Sequence, residues 1–279
     1  YRTNLLNKYK NFKFIKQDLR NINELKRKLN KIDVKAVYHL ASQPGIMYSF
    51  KNPNQYLSNN ILATKNLIQI YKSTNIEKFY FSSSSSVYGN KRKFPIKENY
   101  KLNPLNYYAE TKKKCENLLI KGFKGNKIDL KIFRPFTVYG PFGRPDMLFL
   151  SYFNSIKRDS VFNLYNYGNY VRDFTYVKDV ANILTLFLNV PKSKDKVFNI
   201  CSSKPIRIKK FIHLINENYK RKVKLNYLPT RKGEMLRTYG SNYKLKKKIK
   251  FNKFTSIKQG IKNTLKWYLK FKNKNNLNI

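Results

Sequence analysis

The chain has 279 residues, 41% of them hydrophobic, enough to bury a large core in one domain or two closely joined ones, which argues against disorder. Its formal net charge is +44, from 59 Lys+Arg against 15 Asp+Glu. Such a balance would suit nucleic acid or an anionic membrane, but the basic residues are mostly Lys spread along the whole chain, without a stripe, zinc spacing or RNA-binding motif. A nucleic-acid partner is therefore not expected, and the field is read as one that attracts anionic substrates.

No apolar run reaches the length of about 18 residues needed to span a membrane, and no basic-then-apolar leader opens the chain, so no membrane partner is expected. Cys115 and Cys201 belong to no CxxC or Cys/His ligand spacing, which predicts neither a disulfide framework nor a metal site and fits a cytoplasmic location.

Short apolar runs at residues 13–15, 36–40, 78–82 and 131–133 read as strands with amphipathic helical patterns between them, an order that predicts a parallel α/β sheet. Residues 53–73 form one such helix: Tyr56, Asn60, Leu67 and Ile70 keep helical spacing, and Thr74-Asn75 stops the run. Asn59 and Asn60 then face the sheet. After Pro135 the pattern is less regular, with strands expected at 161–164, 173–176, 197–200 and 222–225 and no Gly/Ser linker, so a smaller, interleaved lobe is expected. A last helix at 256–270 should fade into a polar tail at 272–279 that frays.

The strongest chemical constellation is Tyr108-Ala109-Glu110-Thr111-Lys112 at a helix start, preceded by Phe81-Ser82-Ser83-Ser84-Ser85-Ser86-Val87-Tyr88-Gly89. Residues four apart share a helix face, so the Lys112 ammonium is expected near the Tyr108 phenol, favouring the phenolate and lowering a pKa normally near 10 toward that of a general base. Ser84 can donate to the same substrate oxygen. A solvated helix face is the bland reading of Tyr-x-x-x-Lys in a chain this rich in both residues; the serine turn weighs against it. His39, closing an apolar strand, reads as a packed structural residue rather than a ligand.

This serine-rich strand end with Val-Tyr-Gly, followed by Tyr-x-x-x-Lys, resembles the catalytic segment of extended short-chain dehydrogenases/reductases, the NAD-dependent epimerase/dehydratase family. The resemblance runs on through His39-Leu40-Ala41-Ser42-Gln43, Asn59-Asn60, Arg134-Pro135-Phe136-Thr137-Val138-Tyr139-Gly140-Pro141 and Arg172-Asp173-Phe174-Thr175-Tyr176-Val177. It implies a Rossmann-like doubly wound parallel sheet with a smaller α/β substrate-binding lobe: residues 1–140 as the remainder of the NAD-binding domain, and 141–279 as mainly the nucleotide-sugar lobe with segments returning to the first. It also implies a cofactor, NAD, with Asp18 and Leu19 on its adenine side and Leu40, Ala41 and Ser42 along its pyrophosphate and ribose. Asn59 and Phe136 would lie beside it, with Tyr108 and Lys112 holding the nicotinamide ribose. Arg172 and Arg231 are assigned to a substrate diphosphate, Leu164 and Tyr165 to the uracil, and Glu234 to the uridine ribose.

Within that family the turn after the central strand decides the fate of the sugar once it is oxidised at C4. Related 4,6-dehydratases carry an Asp-Glu pair there and related decarboxylases a Glu, whereas this chain has Ser84, Ser85 and Ser86. Gly143-Arg144-Pro145-Asp146-Met147 resembles a segment of UDP-glucuronate 4-epimerases, so Ser85, Ser86, Thr137 and Arg144 are expected around a uronate carboxylate. The implied reaction is NAD-dependent 4-epimerisation of UDP-glucuronate to UDP-galacturonate through a 4-keto intermediate, serving polysaccharide biosynthesis, in a UDP-sugar-binding protein for which a homodimer is left open. A structural alternative has Arg144 merely pairing with Asp146 on a surface loop. Two departures stand out: neither the Gly-rich phosphate-binding turn nor the acidic residue after the second strand is found, so a first βαβ unit of roughly 30 to 40 residues is expected to be missing, with an exposed apolar sheet edge and weak NAD binding as consequences. The alternatives are a 4-epimerase of a neutral UDP-hexose or N-acetylhexosamine, and an inactive relative that only binds a nucleotide sugar or a protein partner.

Overall fold

Helical crossovers leave parallel pairing as the arrangement open to successive apolar strands. In a computed structural model, which describes residues 2–30, 32–219, 221–251 and 253–275 and no side chains beyond 270, β1 (Ala36–His39), β2 (Lys78–Ser82), β3 (Asp129–Pro135) and β8 (Val197–Ile200) form one parallel sheet in the order β1-β2-β3-β8. Strand alternation sends Phe79 and Phe81 to one face, with Leu25, Leu67, Leu119 and Ile132, and Tyr80 to the other, with Phe133, Phe187, Phe198 and Leu245. Both faces are therefore covered, as a doubly wound sheet requires.

The first face is covered by α2 (Ile22–Leu29), α5 (Ala63–Tyr71) and α6 (Tyr107–Gly122), with α3 (Ile46–Lys51) and α4 (Pro53–Tyr56) packed against α6, while the short α1 (Arg2–Leu6) buries no residue. The rest of the chain builds a lobe from α7 (Leu148–Arg158), α9 (Ile208–Tyr219) and α11 (Ile257–Asn275). Beside them run short strand pairs: β4 (Thr137–Tyr139) with β7 (Phe174–Tyr176), β5 (Phe162–Tyr165) with β10 (Leu225–Leu228), and β6 (Val171–Arg172) with β9 (Ile206–Arg207). Its core is aromatic, holding Tyr139, Phe149, Tyr152, Phe153, Phe174, Phe211 and Tyr268. Each such ring contributes about 1.5–3 kcal/mol by leaving water. α8 (Val177–Phe187) and α10 (Tyr243–Lys248) return to the second face of the sheet through Ile183, Phe187 and Leu245.

Four expectations shift. Residues 13–15 form no strand, because no described strand lies alongside to accept their hydrogen bonds. The strand expected at 222–225 lies at Leu225–Leu228, where it pairs with β5. The helix at 53–73 is interrupted by a π-helical segment, Leu57–Leu62, between α4 and α5. The last helix runs on to Asn275, and of the tail expected to fray, residues 276–279 lie outside the described residues. No described helix is long and apolar enough to cross a membrane, and no described group of His, Cys, Asp and Glu could hold a metal ion.

Candidate active site

Loops leaving the C-terminal ends of β1, β2 and β3 gather at one edge of the sheet, where parallel α/β folds bind ligands. Beyond β2, the Ser83 amide donates to the Phe133 carbonyl at 2.7 Å, extending the pairing into the serine run. Ser84 then caps the 3-10 turn Ser85–Tyr88, its Oγ accepting from the Ser86 amide at 3.2 Å and the Ser86 hydroxyl at 2.7 Å. Gly89 closes the turn at φ +66°, and an added Cβ would stand 1.9 Å from the Asn103 carbonyl oxygen, so only glycine fits. Asn106 caps α6 by accepting from the Ala109 amide at 2.9 Å and donates to the Gly233 carbonyl at 3.0 Å, tying the helix start to the lobe.

Tyr108 is partly buried on the first turn of α6, near enough to Ser84 to feel its hydroxyl, with the ring of Tyr56 edge-on at 6.3 Å. Burial holds its phenol above the ordinary value, opposed by the Ser84 hydrogen bond and the Arg144 charge. This corrects the expectation that Lys112 lowers it. The Lys112 ammonium, 2% exposed, instead donates to the Ser82 carbonyl at 2.7 Å and lies 4.7 Å over the Phe81 ring. Burial brings Lys112 down to about 8, with Cys115 and Glu116 resisting. His39 is buried and neutral, taken down to about 3 by desolvation and then by the Lys112 charge, with Nε2 3.0 Å from Thr64 Oγ1, in keeping with a packed role.

Leu40, Ala41 and Ser42 follow β1, and Leu40 is 53% exposed. Next in the chain, the Gln43 amide donates to Asn60 Oδ1 at 2.6 Å while Asn60 Nδ2 donates to Thr111 Oγ1 at 2.9 Å, and Asn59 Nδ2 reaches Gln43 Oε1 at 3.4 Å. The π-helical turn brings both asparagines to the loop, the kind of place where such turns recur. Leu19, Val37, His39, Leu40 and Ala41 line a groove of about 260 Å³ beside the edge of β1 that pairs with no other described strand. Gln17 also lines it, and its Oε1 is buried without a hydrogen-bond partner among the described residues. The largely apolar lining of the groove suits the flat adenine end of a dinucleotide. Asp18 pairs with Arg20, whose hydrogen bonds bring its carboxyl down to about 2. The Phe136 ring is buried with Val87, Tyr88 and Cys201, so it fills core rather than lining the groove.

In the lobe, Glu234 bridges the two arginines assigned to a diphosphate, its carboxylate bonded to Arg231 and 3.5 Å from Arg172 Nη2. Arg231 lies 4.0 Å over the Tyr165 ring and Arg172 4.6 Å over that of Tyr170, so each guanidinium has an aromatic face within cation-π range. Leu164 is buried beneath them in the aromatic core. Thr137 sits on β4, its amide donating to the Asp173 carbonyl at 3.0 Å. Arg144 binds both oxygens of Asp146. It nevertheless stands at the site: a Cβ on Gly45, itself at φ +107°, would lie 3.5 Å from Arg144 Nη2 and 3.4 Å from the Tyr56 hydroxyl.

Sequence patterns gave no hint of Gln17, Tyr56 or Tyr170 as site residues. Tyr56 reads there only as an apolar position of a helix, yet it is fully buried, its hydroxyl donating to the Pro44 and Gly45 carbonyls at 2.8 and 2.7 Å.

The family model "NAD dependent epimerase/dehydratase family" matches residues 1–201. UDP-glucuronate 4-epimerase of Thermodesulfobacterium geofontis is 33% identical over 96% of this chain and 82% of its own length. The crystal structure of UDP-glucuronic acid 4-epimerase from Bacillus cereus with UDP-glucuronic acid and NAD superposes with a TM-score of 0.89 at 28% identity, covering 96% of this chain and 85% of that one. UDP-glucose 4-epimerase of Thermotoga maritima with UDP-glucose gives 0.89 at 25% identity, covering 94% and 86%. On its sequence, its parallel sheet and these likenesses, the chain belongs to the NAD-dependent epimerase/dehydratase family.

Proposed function

We propose that the protein is an NAD-dependent epimerase that interconverts UDP-glucuronate and UDP-galacturonate at C4. The observation that carries the reading is the Arg144 guanidinium beside Gly45 and Tyr56, close enough for its charge to act on Tyr108, the phenol that also feels Ser84 of the serine turn. The carboxylates nearby are already held by guanidinium groups: Asp146 by Arg144, Glu116 by Arg134, and Glu234 by Arg172 and Arg231. A uronate entering there meets hydroxyls and a cation rather than a bare acid, which suits a 4-keto uronate that must keep its carboxylate.

In this reading Tyr108, whose ionised form the Ser84 hydroxyl and the Arg144 charge favour against burial, accepts the proton of the sugar O4, and Ser84 holds the same oxygen. Bound NAD would supply the hydride acceptor and donor at C4. Lys112 and Tyr108 would hold its nicotinamide ribose, while Asp18, Leu19, Leu40, Ala41, Ser42, Asn59 and the main chain at Phe136 would flank the rest of the cofactor. Arg172 and Arg231 anchor the diphosphate, Tyr165 and Leu164 frame the uracil, and Glu234 turns to the ribose. Ser85, Ser86, Thr137 and Arg144 hold the carboxylate loosely enough for the keto sugar to swing about its bond to the diphosphate. Tyr108 then returns the proton on the other configuration.

The test is incubation with UDP-glucuronate and NAD, with the two uronates separated chromatographically. Formation of UDP-galacturonate is expected, and Arg144→Ala should raise KM about tenfold, the worth of one charge-assisted contact. The Arg144–Asp146 pair favours a second reading, a neutral UDP-hexose or N-acetylhexosamine, since it leaves the guanidinium already satisfied. Faster turnover of UDP-glucose than UDP-glucuronate would establish that one. We further infer a cytoplasmic enzyme that does not bind nucleic acid, with homodimerisation decided by light scattering.

A further inference from the structure

One buried carboxylate in the sheet domain has no part in the chemistry above. Glu116, 2% exposed, stands one turn beyond Lys112 on the same face of α6. It accepts from the Ser83 hydroxyl, from Arg134 Nε at 2.9 Å on the same oxygen, and from Arg134 Nη2 at 2.5 Å on the other. Arg134, on β3, also donates to the Tyr88 hydroxyl at 2.9 Å and the Glu98 carbonyl at 3.0 Å. Tyr88 in turn donates to Asn199 on β8 at 2.7 Å. One carboxylate thus joins α6 to the start of the serine turn, while Lys112 holds the carbonyl of the preceding residue, Ser82.

We propose that Glu116 is a positioning residue for the epimerase site: with Arg134 it locks the serine turn to the Tyr108–Lys112 face of α6, so that Ser84 and Tyr108 meet one substrate oxygen. The proposal rests on the functional reading above. Its electrostatic corollary concerns Lys112, which faces Cys115, Glu116 and Tyr108 on its own helix, His39 on β1, and the Ser82 carbonyl and Phe81 ring on β2. Among these, Cys115 and Glu116 are the groups that favour its charged form against burial.

Two variants separate positioning from bulk stability. Ser83→Ala removes one bond and leaves the ion pair intact; Glu116→Leu with Arg134→Met removes both charges together and leaves no buried charge unpartnered. Expected for both is a kcat lowered between about tenfold and a hundredfold with KM for the UDP-sugar unchanged, the signature of a misplaced reacting group. UDP affinity, measured by calorimetry without cofactor, should stay within about twofold. In the double variant, 13C NMR of lysine Cε, assigned with Lys112→Met, should show the low-titrating lysine moving to lower pH. Ser83→Ala at full kcat, or an unmoved lysine signal in the double variant, overturns the proposal. A wild-type protein that does not turn over UDP-glucuronate overturns the functional reading instead, and the lysine titration still decides the role of Glu116.

Discussion

Two cationic centres among the described residues are built in opposite ways. Lys112 is sealed under the sheet edge, 2% exposed, bonded to a carbonyl and brought down to about 8 by burial. Arg172 and Arg231 lie over tyrosine rings and share a carboxylate, Glu234, which on the proposed function a diphosphate would replace. An ammonium can be tuned by desolvation toward a proton-linked task, whereas a guanidinium keeps its charge and suits an exchange of anions. On the proposed function, the chemical region keeps its cation dry, and the substrate-holding lobe keeps its cations in a pair that an anion could enter.

The hardest test of that division is Tyr108→Phe. It should lower turnover by about 10²–10⁴-fold while UDP binding, measured by calorimetry, stays intact; a large loss of affinity would erase the distinction between chemical and capturing regions. Arg231→Ala should do the reverse, weakening UDP by roughly tenfold to a hundredfold, or about 1.5–3 kcal/mol for a charge-assisted contact, with kcat changed less. The pH profile sharpens the contrast. Turnover that needs the ammonium should fall as pH rises through about 8, where Lys112 gives up its proton, and UDP binding through the arginines should not. Because the folded Lys112 binds fewer protons than the unfolded one between that pH and its ordinary value, its own contribution to stability rises with pH over the same window. The smallest effect concerns Asp173, buried in the lobe and pushed up to about 6 by desolvation against hydrogen bonds from Ser202 and Gly240. Its folded value lies above the unfolded one, so its contribution is present below the ordinary carboxylate pKa of 3.8 and is lost as pH rises through about 6. Melting curves of Asp173→Asn should be flatter over that interval.

The serine turn, the Tyr108–Lys112 spacing and the parallel sheet were legible in the sequence because each is local: a strand, a turn and one helical repeat. The direction of the Tyr108 shift was not, since spacing places Lys112 on the right face but says nothing of the Ser82 carbonyl that takes its proton donor, nor of how much water burial removes. Residues 13–15 failed as a strand for the same kind of reason: an apolar triplet has strand character only where another strand receives its hydrogen bonds. The π-helical turn at Leu57–Leu62 left no mark on a pattern compatible with an ordinary helix.

What the sequence determined by itself was chemistry carried by neighbours in the chain: a phenol and an ammonium one helical turn apart, three consecutive hydroxyls, an Arg-Pro-Asp loop, and apolar periods that specify α/β layering. What only the tertiary structure decided was which distant groups these meet. Glu116 reaches Ser83 and Arg134, Glu234 spans Arg172 and Arg231, and Arg144 arrives opposite Tyr56 across Gly45. Periodicity constrains a face of an element, whereas desolvation and pairing depend on what packs against that face, and these set the charge states on which the site runs.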